Sequence, residues 1–230
     1  MNYEIVDVLY RSRITLLEHL SQSGYDTTPY SKFSPKEVAE MIKAGPIAGA
    51  PPALAMELTK KEDGATLRDG SPKAALTPYA KCIVVYTIGK IKQKLAAFTK
   101  KLIDPEEAGF DSKSTELIIV TLEPIAPNFH AMAYECWMKN DNTKVRYFQA
   151  ASLINNPLQH ILVPKHEKVP AEEEEALLKG MYATKAQLPL IRFHEDPIAR
   201  MLGLVPKDIV RITRPSLTAG ENIGYRLCVP

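Results

Sequence analysis

The chain has 230 residues, of which 45% are hydrophobic and 24% charged, and its formal net charge is +2. That length and balance suit one large domain or two small ones and exclude disorder throughout. They are also too close to neutral for total charge to mark a nucleic-acid-binding protein, so any basic surface has to be local. The three cysteines, Cys82, Cys136 and Cys228, form no C-x-x-C pair, which favours a reduced, intracellular protein. No basic segment leading into an apolar core opens the chain, and no apolar run approaches the roughly 18 residues of a membrane span. A soluble protein without signal peptide or membrane contact is therefore expected.

From about Asn2 to Ser23, Ile5, Leu9, Leu16 and Leu20 fall near one face of a helix, and Gly24 follows where a left-handed residue ends one. Tyr25 to Lys43 carries no assignment. The stretch from Ala44 to Pro52 has no period and is rich in Gly and Pro, so it reads as an irregular connection. Ala53 to Thr59 and Lys81 to Thr87 read as strands on either side of a polar excursion that resembles an insertion more than a tight turn. Between Ile88 and Lys101, Ile88, Ile91, Leu95, Phe98 and Leu102 make a helical stripe while Lys90, Lys94 and Lys101 share another flank, with Lys92 and Lys100 elsewhere. No acid in the segment offsets these lysines, which makes them the candidate phosphate-attracting surface beside the plainer reading of a solvated face.

Glu116 to Leu122 is the short, β-branched apolar run of a strand covered on both faces. His130 to Lys139 reads as a helix and Lys144 to Gln149 as a strand, completing an α/β unit. Past Asn155-Asn156-Pro157 the texture changes. Pro170, Glu172 to Glu175, Lys179 and Gly180 have the order that complements a helix dipole and closes the helix. Asp196 as N-cap, Pro197 at the first position and Gly203 at the end mark a second, shorter helix. Asp208 to Arg214 and Ile223 to Val229 alternate as strands about Thr218-Ala219-Gly220, so the tail is a small α+β module ending in a hairpin.

Catalytic signatures are sparse. His19, His130, His160, His166 and His194 never fall at metal-ligand spacing, and there is no G-x-S-x-G elbow, phosphate loop or G-x-G-x-x-G. No metal and no cofactor are expected. His130 and Cys136 sit six residues apart on different helix faces and read as packing residues. Asp111-Ser112-Lys113 has the D-x-K form of a Mg²⁺ nuclease, but it precedes the apolar strand and brings no second acid.

Read together, Gln187-Leu188-Pro189, Asp196 to Arg200, Gly203, Arg214-Pro215-Ser216, Thr218-Ala219-Gly220 and Tyr225-Arg226 resemble the C-terminal domain of the shared fifth subunit of eukaryotic nuclear DNA-directed RNA polymerases. That tail corresponds to the family's archaeal counterpart, which lacks the N-terminal domain. The resemblance covers Leu162 to Val229 densely, including the lead-in Leu162 to His166. Tyr10 to Leu17 followed by Gly24-Tyr25 is similar to the eukaryotic subunit's opening helix. The resemblance implies an N-terminal jaw domain over 1–156, nuclease-like in fold and inactive, and a C-terminal assembly domain over 157–230 packed on the largest subunit among other polymerase subunits. It implies no catalytic residues, a nuclear location, and a position beside downstream DNA that draws Lys90, Lys94 and Lys101 into the argument. Gln187, Pro189, Arg200, Arg214, Pro215, Ser216, Thr218, Gly220, Tyr225 and Arg226 become the candidate partner-binding set. Arg200, Arg214 and Arg226 would supply forked contacts to carboxylates or carbonyls, unless Glu172 to Glu175 or Glu195 pair with them internally.

This chain departs from the family pattern with Leu190 for an arginine, Lys207 for a glycine, Leu217 for a glutamate, and Glu221-Asn222 for a basic-aromatic pair. Those exchanges suggest a divergent or polymerase-class-specific version, nucleolar if it serves the ribosomal-RNA polymerase. The alternative function is a free-standing nucleic-acid-binding protein that uses the same tail.

Overall fold

The computed structural model describes residues 3–44, 54–61, 78–104, 110–140 and 142–230. The excursion between the first two strands, and the Gly/Pro-rich connection before them, lie outside the described residues apart from their ends. The chain divides into two compact units, one running to Asn155 and the other from Asn156 to Pro230.

The first unit opens with helix α1, Tyr3–Gln22. Its apolar stripe of Val6, Leu9, Leu16, Leu17 and Leu20 is buried, and Gly24 closes it at φ 96°, a backbone region that costs glycine little. Helix α2, Pro35–Ala44, has no counterpart among the predicted elements. Ser34 and Glu37 form a reciprocal cap at its start, the Ser34 N–H donating to the Glu37 carboxylate at 2.6 Å and the Glu37 N–H to the Ser34 hydroxyl at 3.3 Å.

Strands β1 (Met56–Thr59), β2 (Lys81–Thr87), β3 (Thr115–Thr121) and β4 (Val145–Gln149) form a sheet in that order. β1 runs antiparallel to β2, and β2, β3 and β4 are mutually parallel. Parallel strands need crossover helices that cover the sheet. Helix α3, Leu95–Ile103, connects β2 to β3, and helix α4, Pro127–Lys139, connects β3 to β4. Every residue of β3 is buried, as its central apolar run Leu117 to Val120 demands, and Glu116 is buried with it. Phe129 on α4 meets Tyr147 on β4 edge to face at 5.4 Å, and the Tyr147 hydroxyl lies 2.8 Å from that of Thr99 on α3.

The stripe expected from Ile88 to Lys101 is not one helix. α3 begins only at Leu95. The Ile91 and Lys92 N–H groups donate instead to the Glu123 carboxylate, at 2.9 and 3.1 Å, so this segment is held as a loop.

The second unit contains β5 (Lys165–Lys168), α5 (Ala171–Gly180), β6 (Leu190–Arg192), α6 (Pro197–Leu202), β7 (Ile209–Ser216) and β8 (Gly220–Val229). The sheet order is β5-β7-β8-β6, with β6 parallel to β8 and the other pairs antiparallel. Val169, Leu188 and Ile209 make a buried core, against which Leu177, Leu178 and Met181 from α5 and Tyr225 and Leu227 from β8 pack. α5 ends at Gly180 as expected, with Met181 as its C-cap, and the left-handed residue beyond it is Tyr182 at φ 51°.

Candidate partner-binding hairpin

The hairpin is built by short-range chemistry. β7 and β8 pair from Ile209↔Leu227 to Ser216↔Gly220, leaving Leu217 to Ala219 as the turn and Gly220 at φ 73° to reverse it. The Ser216 hydroxyl accepts the Ala219 N–H at 3.3 Å and lies 3.4 Å from the Thr218 hydroxyl. Ser216, Thr218 and Gly220 thus shape the turn, and Pro215 is exposed beside it. The α6 cap is local too: one Asp196 carboxylate oxygen accepts the Ile198 and Ala199 N–H groups at 2.8 and 3.2 Å, and Gly203 ends the helix at φ 62°.

Gln187 is taken up in a capping box, its side-chain oxygen accepting the Thr184 N–H at 2.8 Å. Pro189 accepts the Leu227 N–H at 2.8 Å through its carbonyl. Of the three arginines, Arg200 is half-buried on α6, where burial lowers its pKa and nearby Asp196 partly offsets this. Arg226 donates to the Leu190 carbonyl at 3.0 Å. Arg214 is exposed, and its guanidinium makes no hydrogen bond or ion pair with any described residue. Four of the five acids that were candidates to hold them are engaged elsewhere, Glu173 with Arg211, Glu174 with Lys185, Glu175 with Lys179 and Glu195 with Arg192, and no ion pair joins Glu172 to any of the three among the described residues. Arg214, Arg226, Tyr225 and Pro189 share a groove of about 170 Å³ with Ile212 and Asn222.

The lysines are not brought onto one helical flank. Lys101 lies on α3, Lys94 stands at its N-cap, and Lys90 belongs to the preceding loop, all three exposed with Lys92 and Lys100. An acid does approach them from α4: Glu135, whose carboxyl is held low first by Lys139, also feels Lys100. Asp111 caps the turn into β3, accepting from the Lys113 N–H at 3.1 Å and the Ser114 hydroxyl at 2.6 Å. Cys136 is buried, its thiol pushed up to about 12 by burial, and His130 is half-buried.

One cluster was not foreseen. Glu116, fully buried on central β3, accepts hydrogen bonds from the Tyr25 hydroxyl at 3.0 Å and Arg146 at 2.9 Å, while the Lys144 ammonium lies 3.2 Å from its other oxygen. A lone acid at the head of an apolar strand, with Lys144 just before β4 and Arg146 on it, was the available signal. It shows no second acid for a metal, and among the described residues no group of three or more His, Cys, Asp or Glu could hold one. The opening motif also turns inward. Arg13 is buried, donates to the Leu54 carbonyl at 3.2 Å and lies over the Phe33 and Tyr30 rings, while Thr15 donates to the Ile154 carbonyl.

Two α/β units, the second ending in a hairpin that carries Arg211, Arg214 and Arg226, define a mixed α/β protein. The family model described as RNA polymerase Rpb5, C-terminal domain, matches residues 155–228. An Archaeoglobus fulgidus protein named DNA-directed RNA polymerase subunit Rpo5 is 57% identical over 70 residues, 30% of this chain and 91% of that protein. A Dictyostelium discoideum protein named DNA-directed RNA polymerases I, II, and III subunit rpabc1 is 30% identical over 230 residues, 98% of this chain and all of that protein. Its Caenorhabditis elegans namesake is 44% identical over 85 residues, 37% of this chain and 40% of that protein. The chain belongs to the Rpb5 family of RNA polymerase subunits.

Proposed function

We propose that the chain is a non-catalytic structural subunit of a multi-subunit DNA-directed RNA polymerase in the nucleus, docked on the largest subunit through residues 157–230. Residues 1–156 form a jaw, nuclease-related in fold and without an active site of its own, beside the downstream DNA. The observation that carries this reading is the relationship to the Dictyostelium subunit, which runs through both units at 30% identity; a borrowed tail module would leave the first unit unmatched. The chemistry of the first unit supports the absence of an active site. Asp111 is spent on a turn, and Glu116 is sealed between two cations and a tyrosine. Neither offers the paired, accessible carboxylates that Mg²⁺-dependent hydrolysis needs.

Capture of the tagged full-length chain from its source cell tests the assignment. The largest polymerase subunit should be recovered with it in stoichiometric amount, and recovery of the chain alone would sink the reading. The departures at Leu190, Lys207, Leu217 and Glu221 support restriction to one polymerase class. Purification of each class separately then decides: presence of this chain in only one is expected, and presence in all would contradict it. Restriction to the ribosomal-RNA polymerase would place the chain in the nucleolus.

A further inference from the structure

The sheet of the second unit has an unfinished edge. β8 is paired with β7 from Gly220 to Leu227, but with β6 only at Leu227 to Val229. The Cys228 N–H donates to Asp208 on the β7 side at 2.8 Å, and the Leu227 N–H donates to Pro189 on the β6 side at 2.8 Å. Main-chain groups alternate sides along a strand. Asn222, Gly224 and Arg226 therefore turn toward β7, and Ile223 and Tyr225 turn their N–H and C=O groups outward. Pro189 has no N–H to continue the ladder to the Tyr225 carbonyl. Residues 220–224 are exposed.

Next to this edge the sheet face has a dip. Gly224 contributes no side chain, and a Cβ built there would meet nothing within 4 Å. Ile212 lies opposite Gly224 across the ladder, and Arg214, Asn222 and Arg226 share the groove. Among the described residues no carboxylate lines it and Arg214 has no internal partner.

We propose that an extended segment of a partner protein adds as a strand to the outer edge of β8, prolonging the line of β6, with an acidic side chain seated over Gly224 between Arg214 and Arg226. The partner is the largest polymerase subunit, and to that extent the inference rests on the function proposed above. An incoming strand supplies acceptors for the outward N–H groups and donors for the outward carbonyls. A nucleic-acid backbone supplies phosphate acceptors only and would leave those carbonyls unmet. The acid answers the two guanidinium groups by charge-assisted hydrogen bonding, and Ile223 and Leu190, each about half exposed, add apolar contact at the same edge. Exposed strand edges are usually shielded in free-standing proteins, and among the described residues this one carries no proline, lysine or paired strand between Asn222 and Tyr225 on its outer side.

Hydrogen exchange resolved to single amides, on the assembled polymerase and on the free full-length chain, tests the strand. The Ile223 and Tyr225 amides should slow tenfold or more on assembly, with or without DNA. Two full-length variants test the contact. Ile223→Pro removes one outward N–H without touching the β7 ladder, and Arg214→Glu repels the acid at an exposed position. Each should cut retention of the chain on the polymerase tenfold or more while the free variant melts as wild type does. If Ile223→Pro alone melts early, Arg214→Glu and the exchange data decide. Unchanged exchange, or full retention of both variants, overturns the strand while the subunit assignment survives. Protection that requires DNA would assign the edge to a nucleic acid instead and equally overturns it. A wild-type chain that captures no polymerase overturns both.

Discussion

Glu116 is buried between Arg146 and Lys144, and this fixes how the first unit responds to pH. Burial alone raises its pKa. Arg146, then Lys144, together with hydrogen bonds from Lys144 and Tyr25, more than reverse this and hold the carboxyl at about 2 against an ordinary value of 4.5. Because the folded value is the lower one, the stabilisation is complete above about pH 4.5 and is lost as pH falls toward 2. Glu116→Gln should remove this acid dependence and, by leaving two buried cations without their counter-charge, cost about 3–5 kcal/mol at neutral pH. Urea denaturation of variant and wild type measures it. Lys207 stands at φ 81°, a left-handed backbone that glycine adopts freely, and a side chain there costs about 1 kcal/mol. Lys207→Gly should raise the urea midpoint by a corresponding amount without changing the slope. An unchanged midpoint would mean that the contacts of the lysine offset the strain.

Among the elements, those with both a period and a punctuating residue were legible. α1 has its stripe and Gly24, α6 has Asp196, Pro197 and Gly203, and the hairpin has its turn. α2 was equally signalled by Ser34-Pro35-Lys36-Glu37, a capping box with proline at the first position, and was missed because its apolar stripe is short. β5 and β6 have four and three residues, too few for an alternation to register; they exist because β7 and β8 offer them edges. The stripe through Ile88 was drawn too long because Glu123, thirty-odd residues away in sequence, claims the Ile91 and Lys92 amides. The lysines of that region are exposed on loop and helix alike. Replacing Lys90, Lys94 and Lys101 together should reduce retention of downstream DNA by the polymerase without loosening the subunit. DNA retention equal to wild type across a salt series would remove them from the argument.

At the scale of the molecule, two units with separate cores make separate stabilities testable. Trp137, the sole tryptophan, lies on α4 of the first unit, so its fluorescence reports that unit while far-ultraviolet circular dichroism reports both. The buried Glu116 cluster belongs to the first unit alone. In an acid titration the Trp137 signal should change at a higher pH than the β-rich remainder of the circular dichroism, and coincident transitions would refute that order. Sequence by itself determined the family, the α/β and α+β textures and the hairpin, because those rest on local periodicity, caps and a dense motif. Tertiary structure alone decided which charges are spent and which are offered. Glu116, Arg13 and Asp111 are drawn inward or into turns by partners distant in sequence or fixed by backbone geometry, whereas among the described residues Pro189 stops the ladder on the outer edge of β8 and no acid lines the groove beside Arg214.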